Sequence, residues 1–176
     1  RTLVPKSRAF MEAYDAGAQS SSAFRKEMAE GKGAVAGLSV KVRAWAPIVA
    51  RDVSGLVASD LADQRNVPDG IIDGAERLLD VIDNHRSADG APLAYREAGI
   101  ADLGTAVDAA TKEWGEAEAA DKRYQDSLAA VRTAAAAFDL DLIAFRRTLA
   151  AVCGRTDKDF QKLRASRAGL ADEDDD

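Results

Sequence analysis

The sequence predicts an all-α protein, built as an elongated antiparallel helical bundle with two long heptad-patterned helices and a short middle helix. Hydrophobic residues make up 47% of the 176 residues, and alanine, which favours helices over strands, supplies much of this share. No segment combines alternating apolar and polar positions with β-branched residues, as a half-buried strand would. Two long seven-residue repeats complete the pattern.

Two apolar rows near the N-terminus predict the first long helix. One row steps by seven residues from Phe10 to Trp45, and its companion steps by seven from Tyr14 to Val49. Since both rows lie on one helical face, we expect a single helix over about residues 7–45. The alternative is a tight turn at EGKG, with Gly31 as the C-terminal cap. We expect Pro47 to kink or end the helix near Trp45, because proline lacks a backbone donor.

A shorter apolar face predicts the middle helix. Asn66 and Pro68 open it, and Asp69 lies near the positive end of its dipole. The stretch SADGAP ends it. The residues expected on its buried face are Ile71, Ile72, Ala75, Leu78, Leu79 and Ile82. Residues 53–61, which precede it, are expected to form a short helix or an ordered loop.

Two further rows predict the last helix, over residues 93–152. One steps by seven residues from Leu93 to Leu149 with a single charged interruption at Asp121, and the other steps from Leu103 to Val152. Such a narrow stripe is typical of coiled-coil-like packing. Glycine weakens a helix, so we expect any bend at Gly99, Gly104 or Gly115.

The lengths of these helices constrain the topology. At 1.5 Å per residue the first spans about 60 Å and the last about 90 Å. The final two-thirds of the last helix can then lie antiparallel to the first, while the middle helix packs against its opening third. One end remains a two-helix hairpin, which buries large side chains less well than a bundle. The interaction residues predicted there are Phe10, Tyr14, Phe24, Met28, Phe138, Leu142, Phe145 and Leu149.

The C-terminal segment predicts a helix stop followed by a docking element. Gly154 caps the long helix, and Thr156 is the expected N-cap of a short helix whose Phe160 and Leu163 form one apolar patch. We expect a single domain over residues 1–167 and a disordered acidic tail over residues 168–176. A helix that ends in glycine and is followed by RTDKDFQKLR resembles the close of uncharacterised all-helical bacterial proteins. This resemblance covers the last quarter of the chain and implies no activity.

The net charge of −6 is unevenly distributed. It is +3 over residues 1–66, −9 over 67–121, +5 over 122–167 and −5 over 168–176. The acidic and basic blocks are able to complement each other, within one molecule or between neighbours. The alternative is a solvated helical surface with uneven charge.

The sequence contains no recognisable catalytic motif, so we predict neither an enzyme nor a cofactor or metal site. His85, the single histidine, lies at the end of its helix, where a cation suits the dipole. Cys153, the single cysteine, cannot form an intramolecular disulfide, and we interpret it as a small core residue. DGIIDG lacks a calcium ligand at Ile71. The carboxylates of Glu113, Glu116, Glu118 and Asp121 are typical of a solvated helix face.

The predicted function is that of a structural or interaction protein which self-assembles as a homo-oligomer or as a filament or scaffold subunit. Another protein partner is the next possibility. The alternative function is an adaptor that binds nucleic acid, although the pI of 4.9 and the acidic tail oppose it. Its possible phosphate contacts are Arg146, Arg147, Lys158, Lys162, Arg164 and Arg167. We expect a cytoplasmic protein without a membrane span; because the chain begins at Arg1, an earlier targeting segment stays an open alternative.

Overall fold

The computed structural model describes residues 3–61, 67–86, 90–154 and 161. Within these residues the chain forms the helices α1 (Leu3–Asp52), α2 (Ala58–Leu61), α3 (Pro68–Asn84) and α4 (Arg96–Cys153). The same residues contain no strand, and one isolated bridge joins Arg86 to Pro92. The predicted all-α bundle with two long helices and a short middle helix is therefore confirmed.

Helix α1 is continuous through Gly31 and Pro47. It passes Gly31 without a break, so the single long helix is confirmed and the turn at EGKG is wrong. The predicted boundary at residue 45 is also wrong, because the helix continues through Pro47 to Asp52. Proline removes one bond to the carbonyl four residues earlier. The adjacent Ala46 and Val49 are both buried in the core, and this packing holds the last turns in place.

The chain divides into two compact units. The first comprises residues 1–18 and 126–176, and we call it the hairpin unit because its described residues are the start of α1 and the end of α4. The second, which we call the core unit, comprises residues 19–125. The prediction of a single domain over residues 1–167 stays a prediction.

The core unit contains the apolar core, to which α1, α3 and α4 all contribute. Its most deeply buried large side chains are Leu38, Val49, Leu78, Ile82 and Leu103. The predicted buried face of α3 is confirmed: four of its six residues are fully buried, and Ile71 and Leu79 pack partly buried against the core.

Two of the helical glycines in the core unit lie at close contacts. A Cβ atom at Gly99 would lie 3.2 Å from Cδ1 of Ile82 on α3. A Cβ atom at Gly31 would lie 3.0 Å from the carbonyl oxygen of Glu113 on α4. At both positions the missing side chain lets a second helix approach closely, and this approach offsets the loss of helix propensity.

The long helices pair antiparallel in one register. In the hairpin unit Phe10 stacks on Phe138, with ring centroids 6.1 Å apart. In the core unit Phe24 stacks on Tyr124 at 5.3 Å, and Gly31 lies against Ala117. The residue numbers of each pair add to 148, and the pairs on one helix are seven residues apart or a multiple of seven. The spacing read from the sequence is thus the spacing of the contacting layers.

The structure describes the end of α4 and the start of α3, for which the sequence made predictions. Gly154 follows α4 with φ of 83°, so the predicted glycine cap is confirmed. Val67 is the N-cap of α3 and makes no side-chain capping bond. Asn66, which was expected to open α3 together with Pro68, lies outside the described residues, as do Thr156, Phe160, Leu163 and the acidic tail.

Candidate functional site

The hairpin unit presents an apolar surface to solvent. Among the described residues, seven of the ten exposed large hydrophobic side chains belong to this unit. We call the set the hairpin surface, and it consists of Val4, Met11, Tyr14, Leu140, Ile143, Phe145 and Val152. The clustering on one unit distinguishes it from the scattered apolar side chains that every protein surface carries.

Burial is almost absent from the hairpin unit. Gly17 is the one buried residue among those described there, whereas every other apolar residue is half-buried or exposed. In the described part of this unit α1 and α4 share one seam, so a side chain that faces away from the seam is not covered by another of the described helices. Each large apolar side chain left in water forgoes about 1.5–3 kcal/mol of burial free energy.

The structure places the predicted interaction residues in three environments. Phe10 and Phe138 stack on each other in the seam, half-buried, and Leu142 and Leu149 are also half-buried. Tyr14 and Phe145 are exposed, and they belong to the hairpin surface. Phe24 and Met28 lie in the core unit, where Phe24 packs on Tyr124, and Phe160 and Leu163 lie outside the described residues.

Sequence reasoning did not include several residues of the hairpin surface among the interaction residues. They are Val4, Met11, Leu140, Ile143 and Val152. Val4 and Met11 could have been found from the sequence, because they are seven residues apart and Tyr14 follows Met11 by three. They form a further apolar row on α1, beside the rows that begin at Phe10 and Tyr14. A third apolar row on one helix indicates a second packing partner.

A cross-helix ion pair lies in the hairpin unit. Lys6 Nζ is 2.9 Å from Oδ1 of Asp141, whose side chain is largely covered. Oδ2 of Asp141 is shielded from solvent and has no hydrogen-bond partner in the part of the chain that the structure describes. The pair therefore aligns the helices at a desolvation cost and contributes little net stability.

The structure describes two of the six basic residues that were proposed to contact phosphate in the nucleic-acid alternative. Arg146 is half-buried and Arg147 is exposed near the end of α4, whereas Lys158, Lys162, Arg164 and Arg167 lie outside the described residues. Cys153 is exposed, so its interpretation as a core residue is wrong. It lies in the last turn of α4, within the hairpin unit.

Three carboxylates in the core unit approach one another across α1 and α4. Oxygen atoms of Glu27, Glu30 and Glu113 lie within 4.8 Å of one another. Lys26 contacts both α1 carboxylates at 3.4 and 3.3 Å, and Lys112 contacts Glu113 at 2.9 Å. The hydrogen bond to Glu30 is the main cause that raises the pKa of Lys26, and the one to Glu113 raises the pKa of Lys112. These two cations offset part of the negative charge of the three carboxylates.

A repeated sequence pattern, which the sequence analysis did not include, accounts for this charge network. The pattern K-E-x-x-E occurs at residues 26–30 and again at residues 112–116. It places one lysine beside two carboxylates on each helix, at spacings that allow intrahelical ion pairs. The arrangement brings two such ion-pair groups together across α1 and α4, with two lysines and four carboxylates. The single histidine, His85, lies apart from it as the half-buried C-cap of α3.

A second polar cluster joins α1 to α4. Asp102 accepts hydrogen bonds from Lys41 Nζ and, at 2.9 Å, from the indole nitrogen of Trp45. The Lys41 hydrogen bond, followed by that of Trp45, lowers the pKa of Asp102 below its ordinary value. Both bonds favour the ionised carboxylate.

We expect Asp102→Asn to change the acid sensitivity of folding. A carboxyl whose folded pKa is depressed stabilises the fold above its unfolded pKa of about 4, and this contribution is lost as pH falls through the folded value. The wild type should thus be more stable than the variant at neutral pH, and the difference should shrink below about pH 4. Urea titrations across this range measure it. A difference that is constant with pH would contradict the assignment.

Comparison with known proteins gives no relative. No protein-family model, no curated protein and no solved structure matches the chain. One segment within the described residues, Val4–Asp52 of α1, is long and apolar enough to cross a membrane, judged by length and composition alone. Core helices of soluble proteins and signal sequences pass the same test.

Proposed function

We propose that this chain is a structural or interaction protein that self-assembles through the hairpin surface. One observation carries the proposal: in the described part of the hairpin unit only Gly17 is buried, while large apolar side chains of both helices face solvent. A fold that leaves such a surface open is stabilised when the surface is covered. The occupant we propose is a second copy of the same unit.

Pairing two hairpins supplies the missing helices. A four-helix cross-section places apolar residues of both hairpins in one interior, which two helices alone do not provide. A twofold pair needs only one self-complementary surface, and it is the commonest closed arrangement. A heterologous contact that does not close would instead extend into a filament.

The charges of the hairpin unit do not oppose such pairing. Its described residues carry five cationic and five anionic side chains, so this part of the unit has no net charge and adds no net repulsion between two copies. The cations are Lys6, Arg8, Arg132, Arg146 and Arg147, and the anions are Glu12, Asp15, Asp126, Asp139 and Asp141.

Light scattering of the full chain after size exclusion in about 1 M NaCl, over a range of micromolar concentrations, tests the proposal, because this salt screens contacts between exposed charges. We expect a mass of at least twice 18.7 kDa for the wild type. Phe145→Asp should shift the chain to the monomer and leave its helical circular dichroism intact, because an aspartate buried in an apolar interface has no partner. A mass that grows with concentration without a plateau would indicate a filament.

Val57→Asp is the matched control. Val57 is 56% exposed, compared with 41% for Phe145, but it lies in the core unit. The same change in charge there should leave the assembly intact. A wild type that is monomeric throughout, or equal disruption by the two substitutions, overturns the proposal.

A further inference from the structure

A groove with an apolar lining and a cationic rim lies between α1 and α3 of the core unit. Its volume is about 510 Å³. Val35, Val40 and Ile71 supply apolar lining, and Lys32 and Arg43 supply positive charge. We call it the basic groove. Val40 is 66% exposed, so apolar surface is accessible between the cations.

The two cations of the basic groove are available to an external anion. Lys32 and Arg43 are both exposed, and no carboxylate among the described residues lies within ion-pair distance of either. They are eleven residues apart on α1, which corresponds to three helical turns and about 16 Å. Eleven residues also return a helix to nearly the same face, so both charges point along one line.

The exposed side of α3 carries charges of the opposite sign at a matching spacing. We call it the acidic stripe, and it consists of Asp69, Asp73, Glu76 and Asp80. All four are exposed, and none forms an ion pair within the described residues. Asp69 and Asp80 are eleven residues apart, as are the cations of the groove. The nearby Arg77 is tied back to its own helix, where Nε donates to the carbonyl of Asp73 at 3.2 Å.

We infer that the basic groove of one molecule binds the acidic stripe of α3 of a second copy. The equal spacing lets Lys32 and Arg43 face two carboxylates of an aligned helix at once. Val67, which is 47% exposed at the N-terminal end of the stripe, provides an apolar side chain for the groove.

The two complementary surfaces lie on different sides of α3 in the same unit. Pro68 and Ile71 line the basic groove toward α1, whereas Asp69 and Asp73 of the acidic stripe line a cleft toward α4. Each molecule therefore offers one groove and one stripe, and the contact between these unlike surfaces is heterologous, so it closes into a ring or extends into a filament. This contact involves no residue of the hairpin surface, so it is independent of the proposed assembly through that surface.

The contact should depend strongly on salt. Its charged groups are exposed, and salt shortens the Debye length from about 10 Å at 0.1 M to about 3 Å at 1 M. Assembly through the hairpin surface, which is apolar, should persist or strengthen at high salt. The two contacts can thus be separated by ionic strength as well as by substitution.

The experiment is sedimentation velocity of the full chain in the Phe145→Asp background, which removes the hairpin contact. We expect self-association in about 50 mM NaCl and its loss in about 1 M NaCl. Lys32→Glu with Arg43→Glu, or Asp69→Lys with Asp80→Lys, should each weaken association more than about tenfold, because like charges then face each other. An equimolar mixture of the two double variants should associate again.

Two controls keep the outcome decisive. Arg25→Glu with Arg123→Glu makes the same change in net charge at exposed sites outside the groove, and it should leave association unchanged. If lysine near the start of α3 lowers the helix content, Asp69→Asn with Asp80→Lys replaces the first acidic-stripe variant and keeps both changes at the eleven-residue spacing. A low-salt monomer, association that is insensitive to salt, or a mixture of folded double variants that does not associate overturns the inference. Failure of the hairpin proposal would appear separately, as a wild-type mass that Phe145→Asp does not change.

Discussion

Leu103→Ala is expected to lower the free energy of unfolding by about 2–5 kcal/mol. Leu103 lies on α4 and is 0% exposed, within the core that α1, α3 and α4 build together. Truncation removes the transfer free energy of the lost carbon atoms and leaves a cavity, because a close-packed core relaxes only in part. Urea denaturation, followed by circular dichroism, measures the change.

Leu140→Ala is the matched control for this effect. It makes the same chemical change on the same helix, but Leu140 is 69% exposed and lies in the hairpin unit. Both substitutions should be made in the Phe145→Asp background and measured in about 1 M NaCl, so that assembly does not contribute to the measured stability. We expect a change within about 0.5 kcal/mol at Leu140. Equal losses at the two positions would mean that the core is not confined to the core unit.

Gly31→Val is expected to destabilise the fold by about 1–3 kcal/mol. The added Cβ would lie 3.0 Å from the carbonyl oxygen of Glu113 and 3.1 Å from Cβ of Ala117, so α1 and α4 must separate locally. The extra methyl groups of valine increase the separation that is required. Because the contact involves backbone, a change of rotamer cannot relieve it.

Gly104→Val separates this steric effect from helix propensity. Apart from the backbone of its own helix turn, no heavy atom lies within 4 Å of the position that a Cβ would take at Gly104. Valine is a better helix former than glycine, so we expect a gain of a few tenths of a kcal/mol. Thermal or urea unfolding of both variants tests the pair. The steric account of Gly31 fails if the two substitutions change stability in the same direction.

The sequence predicted the helices well because their periodicity is long. The two seven-residue rows on α1, each 36 residues long, outweigh a single Gly31, which costs about 1 kcal/mol. The close approach of α4 explains why glycine is there. The boundary near residue 45 was wrong for a related reason. The sequence shows the cost of Pro47, but it does not show that Ala46 and Val49 are buried on either side of it.

The candidate site was less accessible to sequence reasoning. The rows identify which side of each helix faces its neighbour, and they correctly indicate a seam at Phe10 and Phe138. Exposure depends on whether a third helix covers the remaining sides, which no local pattern records. Leu140 was therefore not predicted as an interaction residue. Phe24 was predicted to lie in the two-helix hairpin, although it lies in the core unit.

The lack of burial in the hairpin unit also determines how its backbone exchanges hydrogen with water. Where few buried contacts are broken, local opening requires little free energy, so amide protons around Phe138 should exchange quickly in a lone molecule. Amides around Leu78 are released only by opening that approaches global unfolding. Protection of the hairpin amides would therefore increase with protein concentration as the hairpin surface is covered. Their exchange rates would then measure the fraction of molecules that are assembled through this surface.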